Sequence, residues 1–175
     1  MLATAAMLAA ACSFGVRAQA PRPLFNKTVA FSYNADSVVR DPDGKTHAVH
    51  AVISYTWYIS TAGRIFERSA RTPGRGPKQA GKFAPDAALR TKTGEARNVH
   101  FEGSKIVSLR GFVKGASRTV VSFDPGFSSC TVSVQQGKEG GAFKRKGTDG
   151  AVRDYLSIKV SGQTCSVREG NPFAS

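Results

Sequence analysis

The sequence lacks the patterns by which several classes of protein are recognised. It has no Gly-X-Y period and no apolar heptads, which excludes a collagen triple helix and a coiled coil. No apolar stretch reaches the roughly 18 residues of a membrane-spanning helix. Acidic residues are scarce, with 12 Asp and Glu against 25 Lys and Arg in 175 residues. Short dense runs of Val, Ile, Leu and Phe are present, and they favour a single folded domain over disorder.

Motifs that carry chemistry are also missing. There is no G-x-S-x-G nucleophile motif and no CxxC pair. Gly76–Lys82 matches most of a phosphate-binding loop, but Phe83 stands where a magnesium-binding Ser or Thr is required. His47 and His50 would point to opposite faces of a strand, so their spacing does not predict a metal site. The sequence therefore predicts no catalytic residues, no metal and no cofactor, and it favours a protein that is not an enzyme.

The amino-terminal residues have the pattern of a secretory signal peptide. Residues 2–12 form an apolar run, and the small residues Ala18 and Ala20 follow at the spacing of a cleavage site. We therefore expect a signal peptide over 1–20 and export to the periplasm or the medium. Cleavage after Ala18 and lipidation of Cys12 are the alternatives.

Alternation of apolar and polar residues dominates the rest of the chain. The longest example runs from about residue 47 to 60, with apolar side chains at every second position. Shorter alternating runs occupy 29–33, 64–68, 99–101, 106–113, 119–123, 130–134, 156–160 and 165–167. Because no amphipathic segment of helix length occurs, we predict an all-β fold, a single antiparallel β-sandwich or small β-barrel over 21–175.

Turn signals separate these runs. Asp41–Gly44, Thr61–Gly63 and Ser161–Gly162 are each predicted to be turns because they combine Gly with small or polar residues. A long loop rich in Gly, Pro and basic residues is predicted at about 69–96, and a second loop rich in Gly and Lys at about 137–150.

Two cysteines remain once the signal peptide is removed. Cys130 and Cys165 each lie in phase with the apolar positions of an alternating run. An even pair in an oxidising compartment predicts a disulfide, here between the inward faces of two late strands. Two free buried thiols are the alternative.

Positive charge is concentrated in the long loop and the residues that flank it. Between 68 and 97 the bases are opposed only by Asp86 and Glu95. The predicted anion-binding residues are Arg68, Arg71, Arg75, Lys78, Lys82, Arg90, Lys92 and Arg97. Such segments bind phosphate or sulfate polymers through charge and counterion release, so anionic polysaccharide or lipid headgroups are the predicted partners. Nucleic acid is less favoured because Phe83 is the segment's only aromatic residue.

Three segments carry a family resemblance: Gly63–Phe66, Phe123–Cys130 and Ser161–Phe173. In them the chain resembles a functionally uncharacterised family of small exported proteins from rhizobial-type alphaproteobacteria, and the resemblance extends over roughly 27–173. It implies an exported β protein. It implies no catalytic residues and no ligand.

The function predicted from these features is that of an exported, non-enzymatic β-domain protein that binds an anionic component of the envelope or matrix. A basic surface that only keeps the protein soluble is the simplest competing interpretation. An enzyme that acts on an envelope substrate through an unrecognised site is a second, and a small outer-membrane β-barrel is a third. Most alternating runs are shorter than the roughly 9–11 residues that a membrane-spanning strand needs, which weighs against the barrel.

Overall fold

Strands make up nearly all of the regular structure. The computed structural model describes residues 19–73, 89–112, 114–137, 143–147 and 150–174. Within these ranges the single helical element is a 3₁₀ turn at Arg22–Leu24, and every strand pair is antiparallel. The all-β prediction is confirmed. No helix in the described ranges has the length and apolar character needed to cross a membrane.

The strands form two sheets. They are β1 (Lys27–Arg40), β2 (Thr46–Ile59), β3 (Ile65–Pro73), β4 (Leu89–Arg90), β5 (Gly94–Glu95), β6 (Val99–Glu102), β7 (Lys105–Gly111), β8 (Ala116–Phe123), β9 (Cys130–Gln136), β10 (Phe143–Lys146) and β11 (Val152–Glu169). The larger sheet has the order β10-β11-β1-β2-β3-β4, with β5 also paired to β3, and the smaller has the order β6-β7-β8-β9. An isolated bridge between Lys114 and Lys144 links the two sheets at one corner.

Two tight turns shape the first three strands. Between β1 and β2, the amide of Gly44 donates a hydrogen bond to the carbonyl of Asp41 at 2.9 Å. Between β2 and β3, the amide of Gly63 donates to the carbonyl of Ser60, also at 2.9 Å. Both glycines have a positive φ, +86° and +73°, which side chains with a Cβ rarely adopt. The predicted turns at these two positions are confirmed.

The predicted turn at Ser161–Gly162 is wrong, because β11 runs through it without a break. The pairing register of β11 with β1 shifts there, between Ser32 and Asn34, which marks a β-bulge. Gly162 has φ +60°, and a Cβ at this position would lie 2.6 Å from the Nδ2 atom of Asn34. A glycine inside a strand signals a bulge as readily as a turn, and that ambiguity accounts for the error.

Strand structure also enters both predicted loops. β3 continues to Pro73, and β4 and β5 also lie within the predicted loop at 69–96. β10 lies within the predicted loop at 137–150, where Phe143 pairs with Tyr155 of β11. Residues 74–88 lie outside the described residues.

The two sheets face each other across a shared apolar core. Its largest fully buried side chains include Trp57 and Ile59 from the larger sheet and Ile106 and Val121 from the smaller one. The Cys130–Cys165 disulfide joins β9 to β11 beside this core, with Cα atoms 5.5 Å apart. The predicted disulfide is confirmed, and it is compatible with an exported protein.

A second apolar cluster lies further along the same strands. It consists of Val39, Val49, Phe143 and Tyr155, and the rings of Phe143 and Tyr155 stack with centroids 4.5 Å apart. The paired residues Tyr33 and Ile53 belong to the part of the shared core that is nearer to this second cluster. Polar side chains also lie at this level of the interior, and they form one of the sites described below.

Candidate anion-binding sites

The predicted anion-binding residues lie at one edge of the larger sheet, so far as they are described. Five are placed: Arg68, Arg71, Arg90, Lys92 and Arg97. The other three, Arg75, Lys78 and Lys82, lie outside the described residues. The five do not form one patch. Arg68 and Arg90 lie on the outer face of the sheet, Arg71 lies on the inner face, and the remaining two border a groove.

Arg68 and Arg90 are neighbours on the outer face. Arg90 pairs with Ala70, which lies two residues beyond Arg68 on β3 and therefore shares its face. The guanidinium of Arg68 lies 4.7 Å from the ring centroid of Phe173, and its Nε donates to the Oγ1 atom of Thr93 at 3.1 Å. These contacts hold one arginine in place on an accessible surface.

Lys92 and Arg97 are exposed and border a groove of about 270 Å³. The groove also contains Glu95, whose carboxylate binds the guanidinium of Arg64 with contacts of 3.0 and 2.5 Å. Glu67 lies deeper in the groove and pairs with an arginine from the other sheet. We call Arg68, Arg90, Lys92 and Arg97 the basic edge.

A second site lies between the sheets. It is a cavity of about 150 Å³ into which Arg71 of β3, Arg110 of β7 and Arg145 of β10 project. We call it the arginine cavity. Arg71 was predicted from the sequence, whereas the other two were missed because neither belongs to the segment rich in Gly and Pro. For Arg110 the alternation of the strand was a usable signal. It lies four residues after the buried Ile106 and therefore on the same face of the strand.

Glu67 and Trp57 hold Arg110 at the wall of this cavity. The Nη2 atom of Arg110 donates to Oε1 of Glu67, and Trp57 Nε1 donates to Oε2 of the same carboxylate at 2.7 Å. The guanidinium also lies 5.0 Å from the ring centroid of Tyr55. Burial acts to lower the pKa of Arg110, but Tyr55 and Glu67 outweigh it and leave the pKa raised. Arg110 therefore stays charged at every physiological pH.

Aromatic and polar groups complete the lining. The guanidinium of Arg145 lies 5.8 Å from the ring centroid of Phe112. Gln136 Nε2 donates to the Oη atom of Tyr33 at 3.3 Å. Hydroxyl groups come from β3, β8 and the chain that follows β4, through Ser69, Ser117 and Thr91. The cavity thus combines cations with neutral hydrogen-bonding groups.

Burial raises the pKa of two tyrosines at this level. For Tyr33, burial is the main cause and Tyr55 adds to it, while Gln136 and Arg110 act in the opposite direction. For Tyr55, burial is again the main cause and Glu67 adds to it, while Arg110 and Arg145 oppose the shift. Both phenols are therefore neutral hydrogen-bonding groups throughout the physiological range.

We expect the raised tyrosine pKa values to appear in an alkaline titration. Above about pH 10 the phenols of the unfolded chain ionise, whereas Tyr33 and Tyr55 stay protonated in the folded protein. The folded state then binds more protons, so the free energy of unfolding falls as the pH rises. Phenolate absorbance should show that Tyr33 and Tyr55 ionise only when the protein unfolds. Ionisation of these two tyrosines near pH 10 without unfolding would contradict their burial.

The described residues place no metal site around the histidines. Among the described residues no group of three or more His, Cys, Asp and Glu side chains is placed to hold a metal ion. Each histidine instead lies beside a carboxylate, in the pairs His47–Asp41, His50–Asp36 and His100–Glu102.

Comparisons of the chain with protein-family models, with curated proteins and with solved structures find no match. The geometry of the basic edge and of the arginine cavity is therefore the basis for the function proposed next.

Proposed function

We propose that this chain is an exported, non-enzymatic β-domain protein that binds an anionic component of the envelope or matrix, a polysaccharide or a lipid headgroup. The signal-like pattern of residues 2–12 and the Cys130–Cys165 disulfide support export to the periplasm or the medium. A formal net charge of +13, of which only one unit lies in the predicted signal peptide, supports an acidic partner.

The observation that carries the proposal is the accessibility of the basic edge, in which Arg90, Lys92 and Arg97 are exposed and Arg68 is half-buried. Arg68 is fixed on the outer face by Phe173, and Arg90 lies beside it, exposed. In the described part of this edge the acidic residues are Glu67 and Glu95, and each engages an arginine outside the basic edge. Their charge is therefore largely used in ion pairs, and the cations of the basic edge remain available to an anionic polymer.

Binding of this kind depends on salt. Lys and Arg side chains that contact a polyanion release its condensed counterions, so the affinity falls steeply as the salt concentration rises. Attraction between exposed charges is screened beyond about 8 Å at physiological ionic strength. The proposed partner is consequently recognised by charge density and not by a fixed sequence of groups.

Removal of the basic edge should weaken retention on immobilised heparin. The variant carries Arg68→Ser, Arg90→Ser, Lys92→Ser and Arg97→Ser. It should elute at clearly lower salt, and the slope of log affinity against log salt should fall by as much as about 3–4 units. The folded state should lose no more than about 1 kcal/mol, because these side chains are at the surface.

A second variant with the same charge change serves as the control. It carries Arg22→Ser, Arg40→Ser, Lys159→Ser and Arg168→Ser, four exposed residues away from the basic edge. If both variants lose retention equally, net charge alone determines binding and the basic edge is not a site. Anionic lipid vesicles tested in parallel identify which of the two partners is preferred. Absence of binding to heparin and to vesicles at low salt overturns the proposal.

A further inference from the structure

The arginine cavity has a lining that the proposed function does not use. Arg71, Arg110 and Arg145 reach it from three different strands, and the described lining residues include no carboxylate. Arginines on separate strands that converge in a concave site are a common arrangement for binding an acid. This site lies between the sheets, apart from the exposed residues of the basic edge.

Glu67 neutralises only part of the positive charge of the cavity. Glu67 contacts Arg110 and uses both of its carboxylate oxygens, one for Arg110 and one for Trp57. Its side chain is 14% exposed, so solvent screens this ion pair only in part. Arg145 makes no ion pair with a carboxylate of the described residues, so its positive charge remains for an incoming anion.

Two of the arginines lie over aromatic rings. Arg110 lies over Tyr55 and Arg145 over Phe112, with guanidinium-to-centroid distances of 5.0 and 5.8 Å. A guanidinium stacked on a ring still directs its N–H groups outward in its own plane. A carboxylate presents two oxygens in one plane, which matches that edge.

Neutral polar groups and rings surround the cations. Ser69, Ser117, Thr91 and Gln136 supply hydroxyl and amide groups, and Tyr55 contributes a protonated phenol. These groups match the hydroxyls of a polyol. The volume of about 150 Å³ limits the site to one small molecule or one residue of a chain.

We propose that the arginine cavity binds one acidic sugar residue, a uronate, whose carboxylate contacts Arg145 and Arg110 while its hydroxyls contact the Ser, Thr and Gln side chains. The ligand is either a free sugar acid or the terminal residue of an acidic polysaccharide. The site does not depend on the basic edge, so this proposal is tested independently of the function proposed above.

Isothermal titration with D-glucuronate tests this site. We expect binding of one molecule per chain. D-glucose, which shares the ring but lacks the carboxylate, should bind at least about tenfold more weakly because the charge-assisted hydrogen bonds are lost. Inorganic phosphate tests recognition by charge alone, and phosphate that binds as tightly as glucuronate overturns the proposal. Absence of glucuronate binding to the folded wild-type protein also overturns it.

Arg145→Gln is the decisive variant, with Arg40→Gln as its matched control. Arg145 is half-buried on a short strand, whereas Arg40 is exposed outside the cavity, and both changes remove one positive charge. Arg145→Gln should lower glucuronate affinity about tenfold or more, and Arg40→Gln should leave it unchanged. Arg145→Lys keeps the charge but loses the planar fork, so it should also weaken binding. Equal affinities for all three variants overturn the proposal.

Two further measurements distinguish the cavity from the basic edge and a free sugar acid from the end of a polysaccharide. The fourfold basic-edge variant should keep glucuronate binding, and Arg145→Gln should keep most of its retention on heparin. Loss of glucuronate binding in the basic-edge variant would show that the cavity is not the site. An oligogalacturonate that binds with the same dependence on Arg145 identifies polysaccharide ends as the source, and binding of the monosaccharide alone identifies a free sugar acid.

Discussion

Replacement of Trp57 by alanine is expected to lower the free energy of unfolding by about 3–5 kcal/mol. Trp57 is fully buried, and its ring makes an edge contact with Phe31 at a centroid distance of 4.7 Å. The substitution opens a large cavity in the shared core and removes the donor to Glu67. A loss of this size is a large part of the roughly 5–15 kcal/mol that typically stabilises a domain. Chemical denaturation monitored by far-ultraviolet circular dichroism measures it.

Trp57→Phe separates packing from hydrogen bonding. Phenylalanine fills most of the space but cannot donate to Glu67, which keeps its contact with Arg110. We expect a loss of about 1.5–3 kcal/mol, the range for a hydrogen bond to a charged group. If the alanine and phenylalanine variants are equally unstable, the stabilisation by Trp57 comes from the hydrogen bond and not from the core.

Removal of the disulfide is expected to cost about 3–4 kcal/mol, since it closes a loop with a sequence separation of 35 residues. The Cys130→Ala, Cys165→Ala double variant should therefore melt roughly 6–16 °C lower than the wild-type protein. The effect is large because the disulfide is the covalent link between β9 of the smaller sheet and β11 of the larger one. Differential scanning calorimetry measures the shift.

A reducing agent provides the control for this prediction. It should lower the melting temperature of the wild-type protein by about the same amount and leave the double variant unchanged. A wild-type melting temperature that does not respond to the reductant, with both thiols shown to be free by mass spectrometry, would contradict the cross-link.

Much of the strand structure was predictable because alternation reports directly on burial. In β2, every second residue from Val49 to Ile59 faces the interior, as the sequence predicts. Cys130 and Cys165 were predictable as a pair for the same reason, since each is in phase with buried neighbours. The two-residue period of the sequence matches the structure because successive side chains of a strand point to opposite faces.

Other features depended on pairing between distant residues. The bulge at Gly162 arises from the register of β11 against β1, and no local signal separates it from a turn. β10 is short and charged, and it is a strand because Phe143 pairs with Tyr155. The arginine cavity was hidden because Arg110 and Arg145 lie far apart in sequence and come together only across two sheets.

The position of β11 has a consequence for how the chain acquires its structure. β1, the first strand, pairs with β2 on one side and with β11, the last strand, on the other. The hydroxyl of Thr28 bonds to the carbonyl of Gly170, a partner 142 positions away. As the chain emerges from the ribosome, β1 therefore keeps one edge open until the last strand has been made. Contacts this distant in sequence form slowly, so we expect the larger sheet to be completed late in folding, after β11 has been synthesised.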